Sequence, residues 1–209
     1  MTACIGVVDA WMSSNRLKLN SDKTQFIWLG SQQQLQKIEI ESVALLGDTV
    51  VFQPTVNDLG VTIDGPLTMR EHVQRICRAS YYQLRQLRVV RNSLSTDVCV
   101  MLVHAFVSSR LDYCNSLLAG VSDDLVNRLQ SVLRSAARLV LRKRKFDPVS
   151  NDLRERLHWL PIRQRIQYKL GILVYKCLHG LAPWYMFDML ALVSADPYSC
   201  RLRSAAHDD

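Results

Sequence analysis

The sequence predicts an α+β fold in which a short mixed segment precedes a larger region that is mainly α-helical. Short β-branched and aromatic runs alternate with turns in residues 1–64, whereas apolar residues recur at helical spacing after Pro66. The charge changes at the same place, because residues 1–64 carry four basic and seven acidic side chains and residues 65–209 carry 22 basic and 12 acidic. We therefore expect two domains, residues 1–66 and residues 67–209, with the basic character confined to the second.

The first domain is expected to contain one helix and several short strands. Apolar residues at three- and four-residue spacing predict an amphipathic helix over residues 3–17. Residues 24–29 have the composition of a buried strand that Gly30 closes. β-Branched runs on both sides of a turn at residues 46–49 predict a hairpin within residues 38–52, and residues 57–64 predict one further strand.

The second domain is expected to be a helical bundle. Ser95 and either Ser122 or Asp123 are the predicted N-caps, because short side-chain oxygens accept the free N–H groups of a first turn. His104 stands among apolar residues and is expected to lie in the core. The long predicted helices cover residues 68–92, 95–109, 123–144 and 161–178.

Composition excludes several classes of protein. The longest uncharged apolar run, residues 98–109, is far shorter than the roughly 20 residues that span a bilayer. Asp9 and the lack of a basic segment before the first apolar residues argue against a signal peptide, so we expect an intracellular protein of the nucleus or cytoplasm that does not contact membranes. The cysteines are scattered without a Cys-x-x-Cys pair, which predicts free and largely buried thiols and no zinc site: Cys4, Cys77, Cys99, Cys114, Cys177 and Cys200.

The first predicted helix of the second domain has a basic face. At about 100° per residue, its apolar side chains fall on one arc, and Tyr81 and Tyr82 lie at the borders of that arc. Such a face is suited to following a phosphate backbone, with the tyrosines stacking on bases. A solvated helix surface whose border tyrosines pack on the core is the alternative. The arginines on the opposite arc are Arg70, Arg75, Arg78, Arg85 and Arg88.

A second basic group stands near the end of the helix predicted over residues 123–144. Cations at a helix C-terminus interact favourably with its dipole, by roughly 0.3–1 kcal/mol each. The same tetrad is also typical of a nucleic-acid contact or a nuclear-localisation signal, and the sequence leaves both interpretations open. The tetrad is Arg142, Lys143, Arg144 and Lys145.

Paired acids and histidines offer no self-contained active site. Asp123 and Asp124 imitate the metal-binding pair of polymerases, but they precede a predicted helix, where acids complement the dipole. No two of the five histidines stand at a metal-ligand spacing, and neither a phosphate-binding Gly-rich loop nor a nucleophile elbow occurs.

Several stretches resemble, in the same order, the reverse transcriptases of LINE-type, jockey-like non-LTR retrotransposons. The resemblance spans residues 5–193, and residues 17–24 are similar to the segment that directly follows the family's catalytic Asp-Asp motif. This segment reads Leu17-Lys18-Leu19-Asn20-Ser21-Asp22-Lys23-Thr24. Further matching stretches are residues 57–64, 102–118, 136–140, 157–161 and 178–183.

The resemblance implies a palm remnant in residues 1–66 and a thumb and connection region in residues 67–209. The family's activity is RNA-directed DNA synthesis with Mg²⁺ and deoxynucleoside triphosphates. Its metal-binding aspartates would precede residues 17–24, and this chain has neither those aspartates nor the fingers and earlier palm motifs. We therefore expect no cofactor, no metal site and no catalytic residues in this chain, which is expected to be inactive alone.

The resemblance also assigns supporting roles to residues that are present. Lys23 would lie near the phosphates of the incoming nucleotide, although a surface lysine on a turn is the alternative. Leu59 and Gly60 would help to shape the primer grip. The arginine face would contact an RNA–DNA or RNA template–primer through phosphates rather than base edges. The missing fingers and palm segments of the parent polymerase are the expected protein partners.

Three hypotheses about function remain open at this point. The first is an inactive fragment of a retrotransposon polymerase that contributes template–primer binding. The second is a truncated gene model of an active reverse transcriptase. The third is a non-catalytic helical protein that binds nucleic acid or another protein.

Overall fold

The computed structural model describes residues 2–45 and 47–191, which form a mainly helical α+β fold. Leu46, Cys200 and the terminal Asp208-Asp209 lie outside the described residues. The strands are β1 (Ser42–Leu45), β2 (Asp48–Val51), β3 (Thr55–Asp58) and β4 (Val61–Asp64). The helices are α1 (Thr2–Ser14), α2 (Gln32–Leu35), α3 (Arg70–Val90), α4 (Thr96–Val103), α5 (Ser109–Asp112), α6 (Asp123–Val140), α7 (Ser150–Glu155), α8 (Ile162–Leu178) and α9 (Trp184–Phe187).

The hairpin predicted within residues 38–52 is present. β1 and β2 pair antiparallel, from Ser42 opposite Val51 to Leu45 opposite Asp48. Gly47, directly before β2, has a φ of 98°, a conformation that favours glycine and is common in hairpin turns. The prediction of this hairpin is therefore confirmed.

The prediction of a strand over residues 24–29 is wrong. In the described chain this segment makes a single parallel bridge, between Phe26 and Phe52. No neighbouring strand offers it a ladder, so its aromatic side chains hold it instead. Trp28 stacks on Phe52 with 4.7 Å between the ring centroids, and its indole N–H donates to the carbonyl of Ile40 at 3.3 Å.

A single strand was predicted over residues 57–64, but the structure has a second hairpin there. β3 and β4 pair antiparallel from Thr55 opposite Asp64 to Asp58 opposite Val61. The two residues between the strands, Leu59 and Gly60, both adopt positive φ, at 44° and 86°. A type I′ hairpin turn requires this conformation at both central positions.

Asp64 connects the second hairpin to the helical region. Its buried carboxylate accepts hydrogen bonds from the Thr68 backbone N–H at 3.0 Å, the Thr68 hydroxyl at 2.6 Å and the Met69 N–H at 2.8 Å. Burial raises the pKa of Asp64, but these hydrogen bonds outweigh burial and hold it below its ordinary value. Met69, at the N-cap position of α3, lies in the left-handed region and offers no capping side chain, and the Thr68 hydroxyl that Asp64 holds accepts a hydrogen bond from the Arg70 N–H at 3.3 Å.

Four long helices were predicted, and each corresponds to a helical segment with altered ends. Ser95 caps α4 by accepting from the Val98 N–H at 3.3 Å, which confirms that prediction. A π-helical turn, His104–Ser108, joins α4 to α5, so this helix continues past its predicted end at residue 109. Ser122 occupies the N-cap position of α6, but its side chain makes no capping hydrogen bond. The short helices α7 and α9 were not predicted.

The core lies mainly among α3, the helix running from α4 to α5, α6 and the start of α8. α6 contributes the largest share, and Val61 of β4 joins the same cluster. His104 is exposed, so its predicted place in the core is wrong; its ring packs edge-on against the buried Trp159 at 5.3 Å. Completely or almost completely buried core residues are Val73, Val103, Val107, Leu111, Leu129, Val132 and Leu133.

Five cysteines in the described residues carry free thiols, as expected. Their burial is less uniform than predicted, because Cys99 and Cys177 are buried whereas Cys4 is exposed. Burial raises the pKa of the Cys99 thiol, which therefore stays protonated at neutral pH.

Within the described chain, no helix is both long and apolar enough to cross a membrane.

Candidate nucleic-acid interface

The two basic groups of the sequence meet in one groove between α3 and the end of α6. This cationic groove has a volume of about 870 Å³ and is lined by eight arginine and lysine side chains. None of the lining residues that the structure describes is an aspartate or a glutamate. The lining residues are Arg78, Tyr81, Leu84, Arg85, Arg88, Arg91, Asn92, Ser135, Arg138, Leu139, Arg142, Lys143 and Lys145.

One wall of the groove is the predicted basic face of α3. Arg78, Arg85 and Arg88 are exposed, and no acidic side chain of the described residues pairs with them. At about 1.5 Å per residue, Arg85 lies about 10 Å along the helix from Arg78. Tyr81 stands between them, half-buried against the core, with its ring contributing to the groove. This wall therefore offers three free guanidinium groups around one aromatic side chain.

The second wall begins where α6 ends. The helix was predicted to run to residue 144, but it stops at Val140 because Arg142 adopts a φ of 54°. The Lys143 N–H donates to the Arg138 carbonyl at 2.9 Å and the Arg142 N–H donates to the Leu139 carbonyl at 3.4 Å. These two hydrogen bonds form a Schellman motif with arginine at the position where glycine is usual. The basic tetrad consequently lies on a loop after the helix.

Arg91 joins the two walls from beneath. Its side chain is 5% exposed and donates to three backbone carbonyls: Leu139 at 2.9 Å, Val140 at 2.7 Å and Leu94 at 2.8 Å. Two of these carbonyls belong to the last turn of α6 and lack partners within the helix. Arg91 therefore caps α6 and fixes the end of α3 against it.

Lys143 and Arg138 are also engaged in holding the loop. The Lys143 ammonium donates to the Asp152 carboxylate at 2.6 Å and to the Pro148 carbonyl at 3.0 Å. The hydrogen bond from Lys143 lowers the pKa of Asp152. Arg138 donates to the Asp147 carbonyl at 3.1 Å. These two cations shape the loop, which leaves Arg142 and Lys145 as its freer cations.

Three of the predicted nucleic-acid residues do not line the groove. Arg75 is bound to the second hairpin, where its guanidinium donates to the Asn57 side chain at 2.9 Å and to the Gly60 carbonyl. Arg70 is exposed at the start of α3, and Arg144 is exposed on the loop. The remaining members of the predicted set, Arg78, Arg85, Arg88, Arg142, Lys143 and Lys145, are brought together.

The predicted primer-grip residues form the tip of the second hairpin. The side chain of Leu59 is 85% exposed, and its carbonyl accepts a hydrogen bond from the Tyr113 hydroxyl. Leu59 and Gly60 contribute to a second cavity, of about 570 Å³, which Arg75 and Arg110 also line. The hairpin tip therefore borders a cavity with two guanidinium groups, separate from the cationic groove.

Lys23 lines neither of these two cavities. It ends a 3₁₀ turn, Ser21–Lys23, and its backbone N–H donates to the Asn20 side chain at 3.2 Å. Its side chain is exposed. The structure places the motif residue Asn20 as the cap of this turn.

Metal-ligating side chains do not gather within residues 2–45 and 47–191, where no three His, Cys, Asp or Glu residues form a group suited to a metal ion. Asp123 and Asp124 lie in the first turn of α6, as the dipole argument expects. Asp123 pairs with Arg163, and Asp124 pairs with Arg128 at 3.1 Å.

Sequence reasoning missed Arg91 and Tyr113. Arg91 follows Leu84 by seven residues, so it falls on the apolar arc of the helix rather than on the basic face. A charge on a buried arc is a signal for a structural role, because charges are almost never fully buried without partners. Tyr113 gives no comparable signal, since its partner Leu59 is 54 residues away.

No protein-family model, no curated protein and no solved structure matches this chain.

Proposed function

We propose that this chain binds an RNA–DNA or RNA template–primer through the cationic groove, as the palm and thumb portion of a LINE-type reverse transcriptase, without catalysing DNA synthesis. The observation that carries the proposal is the convergence of two basic groups, separate in sequence, on one groove without a carboxylate. A helix surface that is merely solvated gives no reason for a second basic segment to face it.

The chemistry of the groove favours a phosphate backbone as the ligand. Arginine side chains present several donors to phosphate oxygens, and each neutralised phosphate releases counterions, which adds salt-dependent affinity. Arg78, Arg85 and Arg88 face the groove from α3, and Arg142 and Lys145 face it from the loop. Tyr81 adds a ring on which a base can stack. No carboxylate of the lining repels the ligand.

The family resemblance gives the proposal its particular ligand. The thumb of such polymerases follows a helical template–primer through its phosphates, and α3 carries the arginines that would do so here. Leu59 and Gly60 at the hairpin tip support the primer strand in the same proposal, and Lys23 belongs to the nucleotide side. These roles rest on the sequence motifs.

The proposal is tested by equilibrium binding of the purified chain to a fluorescent RNA–DNA hybrid at several salt concentrations. We expect log K to fall linearly with log salt, with a slope set by the number of phosphates contacted. Replacing Arg78, Arg85 and Arg88 together by glutamate should weaken binding sharply. It should also reduce the magnitude of the salt slope by about 3, one for each lost contact.

A charge-matched control separates this groove from the general positive charge. The variant with Lys37, Arg154 and Lys169 replaced by glutamate changes the net charge equally, and all three residues are exposed outside the groove. It should retain most of the affinity and nearly the same salt slope. Equal losses in the two triple variants would overturn the assignment of the groove, and unchanged affinity of the groove variant would do the same.

A primer-extension assay tests the non-catalytic part of the proposal. The chain, supplied with a primed RNA template, deoxynucleoside triphosphates and Mg²⁺, should extend no primer. Extension that survives repurification of the chain would contradict it.

A further inference from the structure

The C-terminal half of α8 is apolar on all of its sides. Residues 170–178 include one charged side chain, Lys176, while the other positions around the helix are almost all apolar. Only Cys177 of this half is buried, and Tyr175 and Leu178 are both more than half exposed. A helix that is apolar all round is normally enclosed by protein. Within the described chain, this half of α8 has no such enclosure.

α9 extends this apolar surface. Gly180, with a φ of 66°, reverses the chain after α8, and a cleft of about 460 Å³ separates the end of α8 from α9. Trp184 is 77% exposed and Phe187 is 54% exposed at its rim. The remaining lining is small or apolar except for Asp188. The α8–α9 surface is therefore a cleft bordered by large apolar side chains.

The exposed area is large enough for a stable protein interface. At about 150–250 Å² for each aromatic side chain, the exposed fractions of the four aromatic residues amount to roughly 500 Å², and the exposed leucine and methionine side chains add to this area. The largest apolar patch on a typical monomer is about 300–600 Å², whereas each partner of a standard interface contributes about 800 Å². The residues counted are Tyr175, Leu178, Leu181, Trp184, Tyr185, Phe187 and Met189, which are 53% to 81% exposed.

The charges of this surface favour a second copy of the same chain as the partner. The chain carries a net charge of +7, so most of its helical surface would repel another copy. The α8–α9 surface instead carries one charge of each sign, Lys176 on α8 and Asp188 directly after α9. Neither forms an ion pair within the described residues. In a two-fold arrangement each lysine can meet the aspartate of the other copy.

We propose that the α8–α9 surface is the interface of a two-fold symmetric dimer of this chain. Trp184 of each copy enters the cleft of the other, and Lys176 pairs with Asp188 across the axis. This contact buries the apolar half of α8 that the chain alone leaves exposed. It leaves the cationic groove, which lies between α3 and α6, free on both copies.

Sedimentation velocity of the full chain over about 1–100 μM, a range in which interfaces of this size assemble, tests the proposal. We expect a concentration-dependent dimer. Because Trp184 is the central aromatic anchor, Trp184→Glu should raise the dissociation constant about 30-fold or more. The matched control is Phe146→Glu, since Phe146 is 87% exposed but lies outside α8 and α9, and it should leave the dimer intact. A monomer at every concentration, or equal weakening by the control, would overturn the proposal.

Charge reversal tests the two-fold pairing itself. Lys176→Glu and Asp188→Lys should each weaken the dimer, and the double variant should restore it, because the exchanged charges again face one another. A double variant as weak as the sum of the single changes rejects this pairing. Hybrid binding by the groove provides an independent readout: Trp184→Glu should leave the intrinsic affinity of each copy unchanged, so failure of the dimer and failure of the proposed function can be told apart.

Discussion

Arg142 adopts an unfavourable backbone conformation and also lines the cationic groove. Its φ of 54° lies in the left-handed region, where a residue with a Cβ is strained by about 1 kcal/mol or more. Glycine is the usual residue at this position of a Schellman motif. The arginine nevertheless ends α6 here and directs the loop across the groove, so the local strain accompanies a cation at the proposed binding surface.

Arg142→Gly should therefore stabilise the fold while weakening nucleic-acid binding. We expect the free energy of unfolding to rise by up to about 1 kcal/mol, because relief of the strained φ outweighs the greater freedom of glycine in the unfolded chain. The salt slope of hybrid binding should decrease in magnitude by about 1. Urea denaturation and the fluorescence binding assay measure the two effects.

Arg142→Ala is the matched control for this change. It removes the same guanidinium but retains the Cβ, so it should lose affinity without gaining stability. If alanine and glycine changed the free energy of unfolding equally, strain at Arg142 would not be the cause.

At the scale of elements, the junction between the second hairpin and α3 contains a buried histidine. His72 lies on α3, is 3% exposed, and accepts a hydrogen bond from the Thr62 N–H at 3.3 Å through Nδ1. Burial, and then the positive charge of Arg75, lower the pKa of His72 below its ordinary value of 6.5. The neutral ring is thus the form that holds the hairpin to the helix.

The free energy of unfolding should consequently fall as the pH is lowered below about 6.5. In that range His72 binds a proton in the unfolded chain but not in the folded chain, so acid favours the unfolded state. The loss should end once the pH drops below the lowered pKa of the folded protein. Asp64 adds a second loss at more acidic pH, because its pKa is also lowered and its carboxylate must be protonated on unfolding.

Urea denaturation at pH 7.5 and pH 5.5 measures the contribution of His72. His72→Gln retains an acceptor for the Thr62 N–H but does not titrate, so its stability should change less between the two pH values. An identical pH dependence in the variant and the parent chain would assign the effect to other groups.

The helices were predictable from sequence because their information is local. The 3.6-residue recurrence of apolar residues in α3 and α6, and the serine at the start of α4, act within a few turns. The second hairpin was missed for the opposite reason. Leu59 is an uncommon residue for positive φ, and its turn is held by Tyr113 and Arg75, which lie 54 and 15 residues away from the carbonyls they bind. Distant partners of this kind leave no periodic pattern.

At the scale of the whole molecule, the cationic groove exists only because α3 packs against α6. Each basic group could be predicted from sequence alone, and each also had a purely structural interpretation, as a solvated helix surface or as cations at a helix C-terminus. Their convergence could not be predicted, since it depends on the crossing of two helices and on the unexpected end of α6 at Val140. A helix continued to residue 144 would instead have spread the four side chains of the tetrad around its circumference, at about 100° per residue.

A ligand that bridges the two walls should stabilise the whole fold. An RNA–DNA hybrid at 100 times its dissociation constant should add about 2.7 kcal/mol to the free energy of unfolding. For a chain of this size, that corresponds to a rise in melting temperature of roughly 5–10 °C. Thermal unfolding followed by circular dichroism, with and without the hybrid, measures the shift.

The two triple variants serve as controls for this shift. The variant of Lys37, Arg154 and Lys169 should keep it, and the variant of Arg78, Arg85 and Arg88 should lose most of it. A shift of equal size in the groove variant would mean that the hybrid binds elsewhere on the chain.

The burial of Arg91 also shapes the electric field of the groove. Its guanidinium is held by three carbonyl dipoles and, among the described residues, by no carboxylate, so no opposite charge neutralises it beneath the groove floor. Dissolved ions screen a buried charge much less than an exposed one. Arg91 therefore adds to the attraction that the groove exerts on a polyanion bound within it, and this attraction is less sensitive to salt than that of the exposed arginines.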